Sequence, residues 1–199
     1  MQAPSSAYPA TFAIDAPEQV ANWRAIGHVF MAIPHLIVLY VLQFVSEVVG
    51  FVSWLLILFT GKLPEGLAGV QAMYIRYTVR TYTYVLFMRE EYPPFSFETS
   101  AADPGDDPRV RVDFLPQLTD RNRLTVFFRI ILVIPHLIVL AILAIGGWIA
   151  AVIAFFAVLF TGRWPEGLRD FIVKLMRWSV RVQSYFLLLN DVYPPFELD

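Results

Sequence analysis

The sequence predicts an all-α integral membrane protein of two tandem repeats, each a short transmembrane helical hairpin followed by an interfacial amphipathic helix, with minor flanking β-strands on the cytoplasmic side. Three observations lead there. The 199 residues are 57% hydrophobic and only 16% charged, with a mean hydropathy of +0.58, against roughly half apolar and a quarter charged in soluble domains. Sliding the chain on itself by 101 residues aligns Ile26–Ser96 with Phe127–Glu197 without a gap, and 25 of the 71 pairs are identical, the mark of an internal duplication. Each copy then reads as a long apolar block followed by an arginine-bearing helix.

The boundaries follow from the alignment. Repeat 1 covers residues 8–98, with a hairpin over 24–60 and an amphipathic helix over 64–89. Repeat 2 covers 109–199, with a hairpin over 125–161 and an amphipathic helix over 165–190. Residues 99–108 form an acidic linker rich in turn residues, within "ETSAADPGDDPR", which reads as a solvated connection. At the start, "MQAPSSAYPATFAIDAPEQV" has neither a basic residue nor a continuous apolar core, so no signal peptide is expected there.

In the apolar blocks, Phe127–Thr161 carries one charge, Arg129, and Ile26–Thr60 carries only Glu47 besides two histidines. A single helix of that length would reach roughly 52 Å, beyond a hydrocarbon core of about 30 Å. A fold-back is therefore expected, with its tip at "AIGGW" (Ala144–Trp148) and at the aligned "FVSEV" (Phe44–Val48).

The next joint is "LFTGKLPEGL" in repeat 1 and "LFTGRWPEGL" in repeat 2. Gly61 and Gly162 suit the left-handed end of a helix, and Pro64 and Pro165 the first turn of the next one. Lys62, Arg163 and Trp164 are expected at the membrane interface. In the following segment Asp170, Lys174, Arg177 and Arg181 recur at helical spacing, as Arg76 and Arg80 do in repeat 1. Arginines at the bilayer centre are costly, whereas interfacial ones reach water and phosphate. These helices are therefore expected to lie along the cytoplasmic surface and contact anionic lipid or a partner through Arg76, Arg80, Lys174, Arg177 and Arg181. Short alternating pieces, "TFAID", "FSFET" and "RVRVDF", are candidates for a small sheet. The basic residues all fall outside the hairpin tips, so both termini are expected in the cytoplasm, with the repeats parallel about an axis normal to the membrane.

"IPHLIVL" occurs in both copies and places Pro34–His35 and Pro135–His136 at membrane depth. The bland reading is a histidine satisfying the carbonyl that the proline frees at a kink. The functional alternative brings His35 and His136 together as a proton relay or a ligand pair for haem or a metal. No Asp, Glu or Cys stands near them in the block, which makes a poor ligand count, so no cofactor is expected. No hydrolase, metalloprotease or phosphate-loop motif is present, and an enzyme is not expected. A net charge of −2 gives no nucleic-acid footprint.

The duplicated order of "IPHLIVL", "LFTGKLPEGL" or "LFTGRWPEGL", and an arginine-bearing helix ending in "YPPF" resembles the bacterial membrane-protein family catalogued as domain of unknown function 4389. The resemblance implies a bacterial cytoplasmic membrane protein, and it supplies no substrate or catalytic residue. Three roles are expected in descending order: a non-catalytic scaffold or accessory subunit bound to other membrane subunits or to its own copies, a small oligomeric transporter or channel subunit using His35 and His136, and a membrane-shaping wedge.

Overall fold

The computed structural model describes residues 8–198. Its elements are β1 (Ala10–Ile14), α1 (Arg24–Met31), α2 (Ile33–Thr60), α3 (Glu65–Val85), β2 (Val110–Phe114), α4 (Arg123–Phe127), α5 (Arg129–Thr161) and α6 (Glu166–Phe186). The molecule is mostly helical, with two helices, α2 and α5, long and apolar enough to cross a membrane.

The expected fold-backs do not occur. α2 runs uninterrupted for 28 residues and α5 for 33, so they are roughly 42 and 50 Å long. The hairpin of each repeat is instead made by the long helix and the arginine-bearing helix after it, α2 with α3 and α5 with α6. The glycine pair explains the difference. A Cβ on Gly147 would stand 3.1 Å from Leu175 and 3.4 Å from Ile172, and one on Gly146 would touch Phe171. These glycines let α6 pack closely on α5; they do not turn the chain. At the aligned place in repeat 1, Ser46 donates to Gln71, whose amide donates back to the Ser46 carbonyl.

The long helices bury one narrow seam each: His35, Leu39, Ser46, Ser53 and Ile57 on α2, and Val133, His136, Gly147, Ala150, Ala154 and Val158 on α5. Spacings of three, four and seven fit a helix that packs along one face. The rest of each surface is exposed and apolar, including Ile37, Tyr40, Phe44 and Phe51 on α2 and Ile138, Ile142, Ile145 and Trp148 on α5.

Gly61 and Gly162 close α2 and α5 in the left-handed conformation, at φ +70° and +68°. The peptides that meet these ends come from the other repeat. Val20 N–H donates to the Gly162 carbonyl and Asn22 to that of Leu159, while Arg121 N–H donates to the Gly61 carbonyl and Leu63 N–H to that of Leu118. Trp54 of α2 also donates to the Val126 carbonyl in α4. The segment that leads into each long helix thus lies against the end of the other, and α2 and α5 run antiparallel. The expected parallel repeats give way to repeats related by a twofold axis across the long helices.

β1 and β2 pair antiparallel, Phe12 opposite Val112. β2 packs on α3 and β1 on α6, α3 and α6 touch each other, and the long helices cover their far side. The order is therefore long helices, arginine-bearing helices, sheet. The largest buried cluster joins Phe12, Val110, Val112 and Phe114 of the sheet to Ile75, Val79 and Val180 of α3 and α6.

Candidate functional site

"IPHLIVL" and "YPPF" meet in space in both repeats. The His35 ring stacks on Phe95 at 4.2 Å between centroids and lies 4.7 Å from the Tyr92 ring. The His136 ring stacks on Phe196 at 3.9 Å and lies 4.8 Å from Tyr193. The carbonyls of Pro93 and Pro194 lie near the two rings, but the buried Nε2 of each makes no hydrogen bond among the described residues. Both histidines are completely buried.

A partner from the facing helix fixes each ring. Trp178 Nε1 lies 3.3 Å from His136 Nδ1, and because an indole N–H only donates, Nδ1 is the acceptor and Nε2 carries the proton. In repeat 1 the Tyr77 hydroxyl is 2.6 Å from His35 Nδ1. Tyr77 takes the place that Trp178 has in repeat 2, and burial pushes its phenol up to about 12. A tyrosine binds the carbonyl one residue past the one each proline frees: Tyr92 donates to Met31 and Tyr193 to Leu132. The histidines, expected to satisfy the freed carbonyl, instead seat the YPPF segment against the long helix. Pro34 and Pro135 stand beside them, the first in the opening turn of α2 and the second inside α5.

His35 and His136 do not come together. The hydrogen-bonding and ring partners of each belong to its own repeat. Among the described residues no three His, Cys, Asp or Glu side chains group as metal ligands.

The arginines expected at the lipid interface divide into two sets. Arg76 and Arg80 are each 2% exposed and face the linker. Arg76 donates to the carbonyls of Val112, Glu98, Ser100, Ala101 and Ala102. Arg80 pairs with Asp103 at 3.0 Å and Asp106 at 2.8 Å, and Arg89 with Asp107 at 2.6 Å. The linker, expected to be solvated, is therefore an integral layer, because a buried guanidinium needs its carboxylate. Arg181 is buried and donates to the Glu197 carbonyl. Arg177 is half-buried, its Nε 3.3 Å from the Phe12 carbonyl. Trp164 is buried, donating to the Leu86 carbonyl. Lys62, Arg163 and Lys174 are exposed.

Sequence reasoning missed the ion pairs of the second repeat, in which Asp191 receives Arg121 at 2.7 Å and Arg129 at 2.5 Å. Burial alone would raise the Asp191 carboxyl, but hydrogen bonds from Arg121 and the Asn122 N–H, together with the nearby charges, hold it below the usual range. The repeat alignment carried a signal: Asp191 falls on Glu90, which pairs with Arg24. A cavity of about 440 Å³ between α3, α5 and α6 is lined by Tyr82, Leu86, Gly147, Trp148, Leu175 and Met176 among others. It is mostly apolar, with the hydroxyls of Thr78, Tyr82 and Ser179 and the amide of Gln183 on its wall and no charged side chain among its lining residues.

No curated protein and no solved structure is similar to the chain. The model of one family, "Domain of unknown function (DUF4389)", matches residues 23–96 and again residues 123–197. Each match opens at the entry to a long helix and closes at the YPPF segment that wraps its histidine, and the chain belongs to this family, carrying its domain in two tandem copies.

Proposed function

We propose that this chain is a non-catalytic membrane scaffold or accessory subunit that lies within one leaflet, the cytoplasmic one of a bacterial inner membrane, with both termini in the cytoplasm. α2 and α5 lie among the acyl chains, and the sheet and linker stand in water. The observation that carries the reading is the antiparallel course of the two long helices, the end of each met by the segment that leads into the other. If both helices crossed a bilayer, residues 98–122 would have to return along the molecule through hydrocarbon. That stretch holds exposed Glu98, Asp106 and Arg111, each expensive in lipid. Lying in the plane, both helices keep one depth, and the basic residues at their ends, Lys62, Arg123 and Arg163, reach anionic headgroups together. Helices of roughly 42 and 50 Å also exceed a core of about 30 Å, and in the plane no mismatch arises.

The chain has no cysteine, so single cysteines report the arrangement directly. Trp23→Cys, Lys62→Cys, Arg123→Cys and Arg163→Cys, labelled with a membrane-impermeant maleimide in sealed vesicles, are expected to react from one side only. Reaction of Lys62→Cys and Arg123→Cys from one side and of the other two from the opposite side would overturn the one-leaflet arrangement. For the scaffold role, gentle extraction from native membranes is expected to bring a stoichiometric partner; a protein that stays alone and monodisperse overturns it.

A wedge role follows from the same placement, given the exposed apolar surface of α2 and α5. Nearly all the exposed large apolar residues of the long helices would add volume to a single leaflet, which promotes curvature. The histidine boxes, each closed inside its own repeat, lend the transporter reading no support.

A further inference from the structure

The two edges of the sheet are equivalent by the internal symmetry but are finished differently. Ladder bonds join Thr11 with Asp113 and Ala13 with Arg111, so Ala10, Phe12 and Ile14 on β1 and Val110, Val112 and Phe114 on β2 turn their peptide groups outward. On β2 the chain's own linker completes the edge. Phe114 N–H donates to the Ala101 carbonyl, Val112 N–H to Asp103 at 2.8 Å and Val110 N–H to Asp107 at 3.0 Å. Arg76 meets the Val112 carbonyl from below and holds the same linker. On β1, Arg177 meets the Phe12 carbonyl in the place of Arg76. Among the described residues, no hydrogen bond reaches the N–H of Ala10, Phe12 or Ile14. Arg76 is shut in by the linker and pairs with Asp103, while Arg177 is half-buried and, among the described residues, has no carboxylate in contact.

We infer that the outer edge of β1, with Arg177 beside it, is a docking site for an extended acidic segment of a partner protein, added as the linker is added to β2. This deepens the scaffold reading by naming the chemistry of the partner. An unpaired strand edge offers main-chain donors to an incoming chain, and the guanidinium beside it selects carboxylates. The precedent within the molecule gives the pattern, since Asp103 and Asp107 serve alternate N–H groups of one strand. The surroundings modify it. Arg169 and Lys174 add positive charge along α6. Asp170 stands where Gly69 lets the Thr99 carbonyl come within 1.9 Å of a Cβ position. Asn190 stands where Arg89 holds Asp107. The docked segment therefore keeps clear of Asp170 and needs one carboxylate, the counterpart of Asp103, between Arg177 and the Phe12 N–H.

The probe is a fluorescein-labelled peptide with the linker sequence ETSAADPGDDPR, titrated by anisotropy with the full chain in detergent. Saturable binding is expected, weakened by roughly tenfold or more when Arg177→Gln is introduced or when the peptide aspartates become asparagine, the loss of one charge-assisted hydrogen bond. Far-UV circular dichroism checks that the variant is folded. A photo-crosslinker in place of the peptide's Asp103 is expected to attach to residues 10–14 or to α6. No saturable binding, binding indifferent to both changes, or attachment to β2 or α3 overturns the inference. The measurement is made without a bilayer, so its failure leaves the one-leaflet reading standing, and failure of the cysteine labelling leaves this one standing.

Discussion

At the scale of single residues, the recurring motifs are two halves of one contact. A histidine one residue after a proline gives the long helix a flat buried ring, and YPPF closes over it with a phenylalanine on the face, a tyrosine at the edge and a proline carbonyl. Both strings are plain in the sequence, but their meeting is not, because 58 or so residues separate them and no local rule pairs them. The facing partner differs, Tyr77 in one repeat and Trp178 in the other, and what the alignment preserves is an aromatic with a polar hydrogen. One turn before the first box, His28 is fully buried, its Nδ1 2.8 Å from the Tyr84 carbonyl and its ring stacked on Tyr84 at 3.8 Å. Burial pushes its pKa down to about 4 from 6.5, with the charges of Arg24 and Arg89 acting the same way. The depressed value means that the unfolded chain binds the proton first. The stabilisation is complete above 6.5 and is lost as pH falls from there towards 4. Thermal unfolding in detergent is therefore expected to move to lower temperature between pH 6.5 and pH 4. His28→Gln, which keeps a donor for the Tyr84 carbonyl and does not titrate, is expected to flatten that slope; an unchanged slope would remove His28 as its source.

At the scale of elements, periodicity located the helices and misjudged their continuity. Gly146 and Gly147 are breakers by composition, yet they sit mid-helix where α6 crosses closely, and only the position of Leu175 and Ile172 reveals the reason. The stops of α3 and α6 were hidden in the opposite way. Phe87 and Leu188, one repeat apart, take φ +58° and +67° just past the helix ends, while Met88 N–H reaches back to the Thr83 carbonyl and Leu189 N–H to that of Ser184. That is the geometry of a glycine stop without the glycine, since the side chains are needed in the core. The glycines make a direct test. Gly147→Leu inserts a side chain against Leu175 and is expected to destabilise by about 1–3 kcal/mol, the range for overpacking. Gly66→Ala, where a Cβ meets nothing within 4 Å, is expected to change stability little or to raise it. Chemical denaturation of both in the same detergent gives the comparison, and equal effects would mean that the α5–α6 approach is not tight.

At the scale of the whole molecule, duplication was legible and the relation between the copies was not. The alignment says that the halves are alike; it is silent on whether they lie side by side or head to tail, which is set by contacts between distant segments. Those contacts are exchanged. Repeat 1 supplies Val20 and Asn22 to the end of α5, repeat 2 supplies Leu118 and Arg121 to the end of α2, and each gives one strand to a sheet that neither can form alone. A half separated from its partner would expose an unpaired strand, an uncapped helix end and the face of α3 or α6 that meets the other, so neither half is a folding unit. The exposed turn at Gly105, φ +75° with open space around it, is where the chain can be cut without touching those contacts. Fragments 1–105 and 106–199, expressed together, are expected to associate and migrate in detergent size-exclusion chromatography as the intact chain does, whereas either fragment alone is expected to aggregate. If fragment 106–199 alone is monodisperse, with the helical content and cooperative melting of a folded domain, the exchanged caps are not what holds the repeats together. In that case the antiparallel course of α2 and α5, and the one-leaflet placement that depends on it, would lose its structural basis.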